Sequence, residues 1–173
     1  MLIESYASIA DSGGPGKHRG GNGIEKIYLL LETGEISIHD DRHISQPWGI
    51  LGGQPGACSE KWLVRQGGER EALPSKIDNV VVRTGDRIIF RTAGGGGWGD
   101  PLERDAIRVR HDVARGLMSE RLAREGYGVV LAAGSDVDQR STQELRESMK
   151  RGRKPLVLFD FGERQGAGGG QAG

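Results

Sequence analysis

The sequence predicts a mainly β fold with a C-terminal α-helical segment. This is an α+β arrangement in which an antiparallel sandwich or barrel-like sheet precedes a helical hairpin. Three observations predict it. Short β-branched and aromatic runs recur through residues 2–92 between glycine-containing turns. After residue 101 the apolar period changes to helical spacing. The halves meet at Gly94, Gly95, Gly96 and Gly97, where no regular element is expected, because glycine loses the most backbone entropy on ordering and packs no side chain.

Taking the chain in order, residues 2–10 have strand-like composition with no preceding partner, so the β-rich domain, residues 1–93, is expected to be incomplete at its N-terminus. Residues 11–23 set six glycines around Lys17, His18 and Arg19. Three potential cations on such a backbone suit a carboxylate or phosphate, or form a wide turn with solvated charges. Residues 25–32 and 35–39 flank Thr33 and Gly34, which reads as a hairpin, with Ile36 and Ile38 on one face. Asp40, Asp41, Arg42 and His43 close that arm. His39 and His43 near two carboxylates make a metal site conceivable, but this His spacing suits a helix rather than a strand end, which favours local pairing of Asp with Arg. Residues 47–56 are a second glycine loop, with Trp48, Ile50 and Leu51 expected to plug it onto the core and substrate stacking by Trp48 as the alternative. Residues 61–65 with 69–73, and 79–83 with 86–92, read as two further hairpins.

Bare backbone at residues 94–101 can turn at positive φ, lie against another main chain, or aim N–H groups at an anion. An ordered hinge loop is expected there. Asp100, Pro101 and Glu103 read as N-cap, first helical position and capping box. Residues 102–131 are expected to form a helical hairpin plus strand folded back on the sheet. Ala106, Val109 and Val113 recur at helical spacing, Gly116 is placed to stop that helix, and Ser119 is placed to cap a second. His111 reads as solvent-facing, and residues 127–131 as a buried strand. Residues 132–162 hold a helix opened by a Ser141 and Glu144 capping box, with Leu145 and Met149 on one face and a basic end at residues 150–154. An apolar stretch at 155–162 should dock on this chain or a partner. Residues 163–173 read as a disordered glycine-rich tail.

Of 173 residues 35% are apolar, enough for a core without staples. The single cysteine, Cys58, excludes an internal disulfide. Lys plus Arg equals Asp plus Glu at 24 each, so charge offers no argument for nucleic acid. With no apolar span of about 20 residues and no signal-peptide pattern, no membrane association and a cytoplasmic location are expected. No HExxH, GxSxG elbow or P-loop is present, and Gly94 to Gly99 offers GxGxxG only trivially, outside any βαβ unit.

The order of motifs carries more information than any one of them. Ser12-Gly-Gly-Pro-Gly-x-x-Arg19-Gly-Gly is followed by Asp41 and Arg42, and then by Pro47-Trp-Gly-x-x-Gly-Gly-x-Pro-Gly56. Next come Leu73-Pro-Ser-Lys76, Gly85-Asp, the glycine run through Pro101, and Tyr127-Gly-Val-Val130. This series resembles the C-terminal part of the hydantoinase B/oxoprolinase family, N-methylhydantoinase B type, related to acetone and acetophenone carboxylase subunits. The closing Phe159-Asp-Phe-Gly162 resembles the ends of these proteins.

The resemblance implies a C-terminal portion or split subunit of an ATP-dependent enzyme that hydrolytically opens cyclic amides such as hydantoins or 5-oxoproline. The alternatives are a non-catalytic remnant or part of a related ketone carboxylase. It implies two partners, a hydantoinase A type subunit and the missing N-terminal part of hydantoinase B. The A-type subunit uses ATP and Mg to phosphorylate the lactam oxygen, converting a poor electrophile into one with a leaving group, and the B-type chain promotes attack on that carbon. No cofactor is expected on this chain itself, a metal is conceivable in the missing N-terminal part, and no catalytic residue is assigned. Lys17, His18, Arg19, Asp41, Arg42 and Trp48 are the candidate substrate or anion contacts. Gly94, Gly95, Gly96, Gly97 and Asp100 form a candidate backbone site.

Overall fold

The computed structural model describes residues 1–133 and 136–163; the tail expected at residues 163–173 lies outside them except for Glu163. Eight strands come first: β1 (Leu2–Ser8), β2 (Ile24–Leu29), β3 (Gly34–His39), β4 (Gly49–Ile50), β5 (Glu60–Val64), β6 (Arg70–Ala72), β7 (Lys76–Val82) and β8 (Arg87–Arg91). A 3-10 turn (Pro101–Glu103), three helices, α1 (Ala106–Ala114), α2 (Glu120–Tyr127) and α3 (Gln139–Gly152), and a short β9 (Phe159–Asp160) follow. The mainly β fold with C-terminal helices is therefore as expected.

An antiparallel five-stranded sheet runs β1-β2-β8-β5-β6, and a separate β3-β7 ribbon packs on one of its faces. Between these layers lie Leu30, Ile38, Leu63, Leu73, Val82 and Ile88, with Ile36, Ile77, Val80 and Phe90 at the margin. β3 and β7 supply the alternating apolar positions: Ile36 opposes Val80 and Ile38 opposes Ile77. A bulge between these pairs places Asn79 at φ 57, a region in which Asn is several-fold enriched.

Two expected hairpins are corrected. β2 does not pair with β3, nor β7 with β8; instead β2 pairs with β8 and β3 with β7. The turns after Leu30 and Arg83 form, but each passes the chain from one layer to the other. Leu30 donates to the Asp86 carbonyl and Gly85 to the Leu30 carbonyl, which ties the crossings together. Two layers bury both apolar faces, which one flat sheet cannot do. The β5-β6 hairpin is as expected. At the start of β5, Lys61 is buried and pairs with Asp40, which also accepts from Ser59. This replaces the expected local pairing of Asp with Arg. Burial pushes the Asp40 carboxyl upward, but the Lys61 and Ser59 hydrogen bonds and the Lys61 charge outweigh it and hold it below the ordinary range.

The helices enclose a second core of Val109, Met118, Ala123, Tyr127 and Val129, with Ala106 and Val113 beside it. Asp105 caps α1 and Ser119 caps α2. Three boundaries differ from expectation. Asp100 and Pro101 open a single 3-10 turn rather than a helix. Tyr127 ends α2, so residues 127–131, buried through Val129 and half-buried at Val130 and Leu131, form no strand beyond one bridge from Leu131 to Val137. α3 is capped by Asp138, whose carboxylate accepts from Ser141, because an acidic side chain three residues earlier reaches the free N–H first. The helices are anchored through the 11–22 loop, not folded directly on a sheet face. Asp11 accepts from the Ser119 amide and hydroxyl at 2.7 Å, and Asn22 donates to the Leu117 carbonyl at 2.8 Å.

Candidate functional site

Three glycine loops far apart in sequence meet in one layer. The 94–99 segment runs along its middle, with residues 14–21 on one side and 50–57 on the other. Gly14 donates to the Gly95 carbonyl (2.8 Å), Gly95 to Gly21 (2.8 Å), and His18 and Trp98 exchange a pair (3.0 and 2.9 Å). On the far side Gly94 donates to Ala57 (3.0 Å), Gly97 to Gln54 (2.9 Å), and Ile50 to Gly97 (2.9 Å). The amides of Gly94, Gly95 and Gly97 are thus spent on neighbouring carbonyls. Of the three uses of bare backbone, close approach of main chain to main chain is the one found in this run.

Space, not conformation, explains these glycines. A Cβ on Gly94 would lie 1.8 Å from the Ser12 carbonyl oxygen, and one on Gly96 1.8 Å from that of Trp48. On Gly97 it would lie 2.0 Å from the Pro15 oxygen, and on Gly20 1.9 Å from that of Gly95. Each neighbour is backbone, so no side chain can rotate away. Only Gly99 in this segment has a positive φ, +73°.

The candidate side chains do not converge on one point. Lys17 reaches Glu103 at 3.1 Å on the surface. Arg19 turns the other way, donating to the Gly20 carbonyl (2.8 Å) and Asn22 Oδ1 (2.9 Å), and lies 3.4 Å from Asp112, which Arg104 also holds at 2.8 Å. Close by, Tyr127 is fully buried, and burial pushes its phenol up to about 12. His18 lies against Trp98, ring centroids 5.3 Å apart. Asp41 is exposed. Arg42 lies 4.7 Å over the Trp48 ring, and Phe161 is 6.0 Å from that ring. Trp48 and Leu51 are 41% and 47% exposed, so they do not plug the loop onto the core as expected. Their side chains flank a main-chain layer too tight to accept them.

Asp100 closes the glycine run in a different environment. It is buried, accepts from the Leu102 amide (2.9 Å), and takes both arms of Arg153 at 2.7 and 2.8 Å. Burial raises its carboxyl, but the Arg153 and Leu102 hydrogen bonds win and keep it ionised below the ordinary range. This pair straps the end of α3 beside a cleft of 330 Å³ lined by Gly52, Gly53, Leu102, Gly126, Met149 and Arg153. The 155–162 stretch docks on this chain: β9 pairs with β4, and Leu51 and Gly52 donate to the carbonyls of Leu158 and Val157 at 2.8 and 2.9 Å.

Sequence reasoning left out Trp98, Arg153, Phe159 and Phe161 as site residues. The alternation of Trp48 with Ile50 and of Phe159 with Phe161 was the available signal for two short strands sharing a face. Among the described residues no group of three or more His, Cys, Asp or Glu side chains could hold a metal, and no helix is long and apolar enough to cross a membrane.

Comparison with known proteins is consistent with this architecture. An uncharacterized protein of Methanocaldococcus jannaschii is 37% identical over 149 residues, covering 84% of this chain and 26% of that protein. The caprolactamase subunit beta of Pseudomonas jessenii is 32% identical over 84% of this chain and 26% of its own. The solved structure of the ATP-dependent caprolactamase from the same organism superposes with a TM-score of 0.72 at 29% identity, over 84% of this chain and 26% of that one. The nucleotide-free acetone carboxylase, from work on ATP-dependent acetone carboxylation, shares the fold with a TM-score of 0.74 at 24% identity, over 89% of this chain and 26% of that one. The chain thus spans about a quarter of the length of these relatives. Residues 1–101, which include all three glycine loops, match the family model described as Hydantoinase B/oxoprolinase, and the chain belongs to that family.

Proposed function

We propose that this chain is the C-terminal portion or a split subunit of a hydantoinase B/oxoprolinase-type enzyme, taking part in ATP-dependent hydrolytic opening of cyclic amides such as hydantoins or 5-oxoproline. The observation that carries the reading is the three-loop glycine layer, built within the family-matched residues and needed there for space. An ATP-dependent caprolactamase among the relatives supports an activated-carbonyl route to ring opening. In that route a hydantoinase A type partner uses ATP and Mg to phosphorylate the lactam oxygen. Water then attacks the carbon and the ring C–N bond breaks, the nitrogen leaving as the amine and the carbon keeping its phosphate as an acyl phosphate, which a second water hydrolyses to carboxylate and inorganic phosphate. This chain holds the layer against which the remaining hydantoinase B polypeptide and the substrate are set, with His18, Arg42 and Trp48 as the candidate contacts.

A second reading, a non-catalytic structural module of such an enzyme, is favoured at Arg19, whose guanidinium is already engaged by Gly20, Asn22 and Asp112. Co-expression with hydantoinase A type and N-terminal hydantoinase B polypeptides, followed by an assay of ATP turnover stimulated by 5-oxoproline or a hydantoin, tests the first reading. Co-purification with stimulated turnover supports it, and failure to co-purify with either polypeptide refutes it. Arg19→Ala separates the two roles: lost turnover at unchanged thermal stability marks a site residue, and a matching loss of stability marks a structural one.

A further inference from the structure

Isolated bridges extend the glycine layer into a lateral row that the named strands do not reveal. His18 bridges Trp98, Trp98 bridges Ile50, and Ile50 pairs with Phe159. Bridge partners project to the same side, so these four side chains stand in line across four neighbouring segments. Three inter-strand steps of about 4.8 Å make the row about 14 Å long. A second pair stands two residues along: Trp48 and Phe161, 6.0 Å apart, with Phe161 6.1 Å from Phe159. Trp48, Trp98, Phe159 and Phe161 are 41 to 65% exposed, and Arg42 covers the Trp48 ring. A contiguous aromatic face rimmed by His and Arg has the composition of an interface core, rich in Trp, Phe and Arg, rather than of a solvated surface.

We propose that this face is the docking surface for the polypeptide that supplies the other three quarters of the family fold, an inference that rests on the subunit reading above. In the two solved relatives the same fold makes up 26% of a longer chain, so about three times as much polypeptide lies outside it there. Five of the seven side chains in the patch's two rows and rim, His18, Arg42, Trp48, Ile50 and Trp98, lie inside the family-matched residues. The glycine layer behind them fixes their spacing before any partner arrives, which lowers the ordering cost of association. The competing surface is the β1 edge, where Leu2, Ile3 and Tyr6 are exposed. It is the poorer candidate: a bulge between Ile3 and Ser5 interrupts its ladder, and Glu4 is held by Arg87 at 2.7 Å.

The test places photo-reactive benzoyl-phenylalanine at position 98, 161 or 6 of the full chain, expressed in its source cells, with crosslinked partners identified by mass spectrometry. Links from positions 98 and 161 to polypeptide matching the upstream part of the hydantoinase B/oxoprolinase family, about tenfold stronger than from position 6, are expected. Links to that polypeptide from position 6 alone would leave the subunit reading standing and overturn the docking face. Links from 98 and 161 to a second copy of this chain would also overturn it. No family polypeptide from any position would remove the subunit reading itself. In parallel, Trp98→Asp combined with Phe161→Asp should cut recovery of the partner about tenfold while shifting the thermal midpoint by no more than about 2 °C. Undiminished recovery would refute the proposal.

Discussion

Gly96→Ala puts the packing of the glycine layer under direct strain. The new methyl would stand 1.8 Å from the Trp48 carbonyl oxygen and 2.5 Å from its carbon, whereas ordinary contact begins at 3.4 Å. Restoring ordinary contact requires the two main chains to part by about 1.6 Å, the difference between those distances. The flanking bonds, Gly95 to the Gly21 carbonyl at 2.8 Å and Gly97 to the Gln54 carbonyl at 2.9 Å, cannot absorb that displacement. Two buried hydrogen bonds left unmade at about 1–3 kcal/mol each give a loss of about 4 kcal/mol. In a chain of this size that corresponds to a fall of roughly 10 °C or more in thermal midpoint. Gly34→Ala is the control, since its Cβ would meet nothing within 4 Å and its φ is not positive; it should be neutral or slightly stabilising. Thermal unfolding followed by circular dichroism reads both. A Gly96→Ala midpoint within about 2 °C of the parent, or equal damage from both changes, would refute the packing argument.

Three further predictions follow from the strapping contacts. Asp40, Asp86 and Asp100 are partly or largely buried; burial raises each carboxyl, but their hydrogen-bond and charge partners hold each below the ordinary 3.8. Their stabilisation is therefore complete above the unfolded-state value near 4 and is lost as pH falls through the lower folded values. Thermal midpoints measured from about pH 6 down to about pH 2 should drop, and Asp100→Asn should lower the neutral plateau and flatten the acid limb; an unchanged limb contradicts the Asp100 contribution. Ser119→Ala should cost about 1 kcal/mol as a lost N-cap. A double-mutant cycle with Asp11→Ala should show coupling of at least about 0.5 kcal/mol, and additivity would contradict the Asp11 contacts. Arg153→Ala leaves the Asp100 carboxylate buried with only the Leu102 amide, and should cost about 2–3 kcal/mol by urea unfolding; a cost within about 0.5 kcal/mol would mean that the strap contributes nothing.

Local chemistry was legible in the sequence and layer assignment was not. The cap at Ser119 and the β5-β6 hairpin depend on residues within a few positions of one another, and they formed where composition placed them. The Thr84-Gly85 turn also formed, whereas the chain bends at residues 31–32 and Gly34 already belongs to β3; turn chemistry does not say which sheet the next strand joins, so both neighbouring hairpins were misassigned. The glycine clusters were visible as clusters. Their meeting was not, because main-chain contacts leave no side-chain pattern to match. Lys17 and Arg19 were visible as charges, yet their partners Glu103 and Asp112 come from the helical half. The Asp100–Arg153 pair depends on where α3 ends, which no local signal near Asp100 encodes.

Residues 94–99 form an inner rail hydrogen-bonded on both edges. Amide hydrogen exchange at Gly95, Gly97 and Trp98 tests this most directly. Protection comparable to Ile88 and Phe90 in the central strand β8, lost only on global unfolding, is the predicted result. Exchange at the rate of an exposed loop, while β8 stays protected, would contradict it.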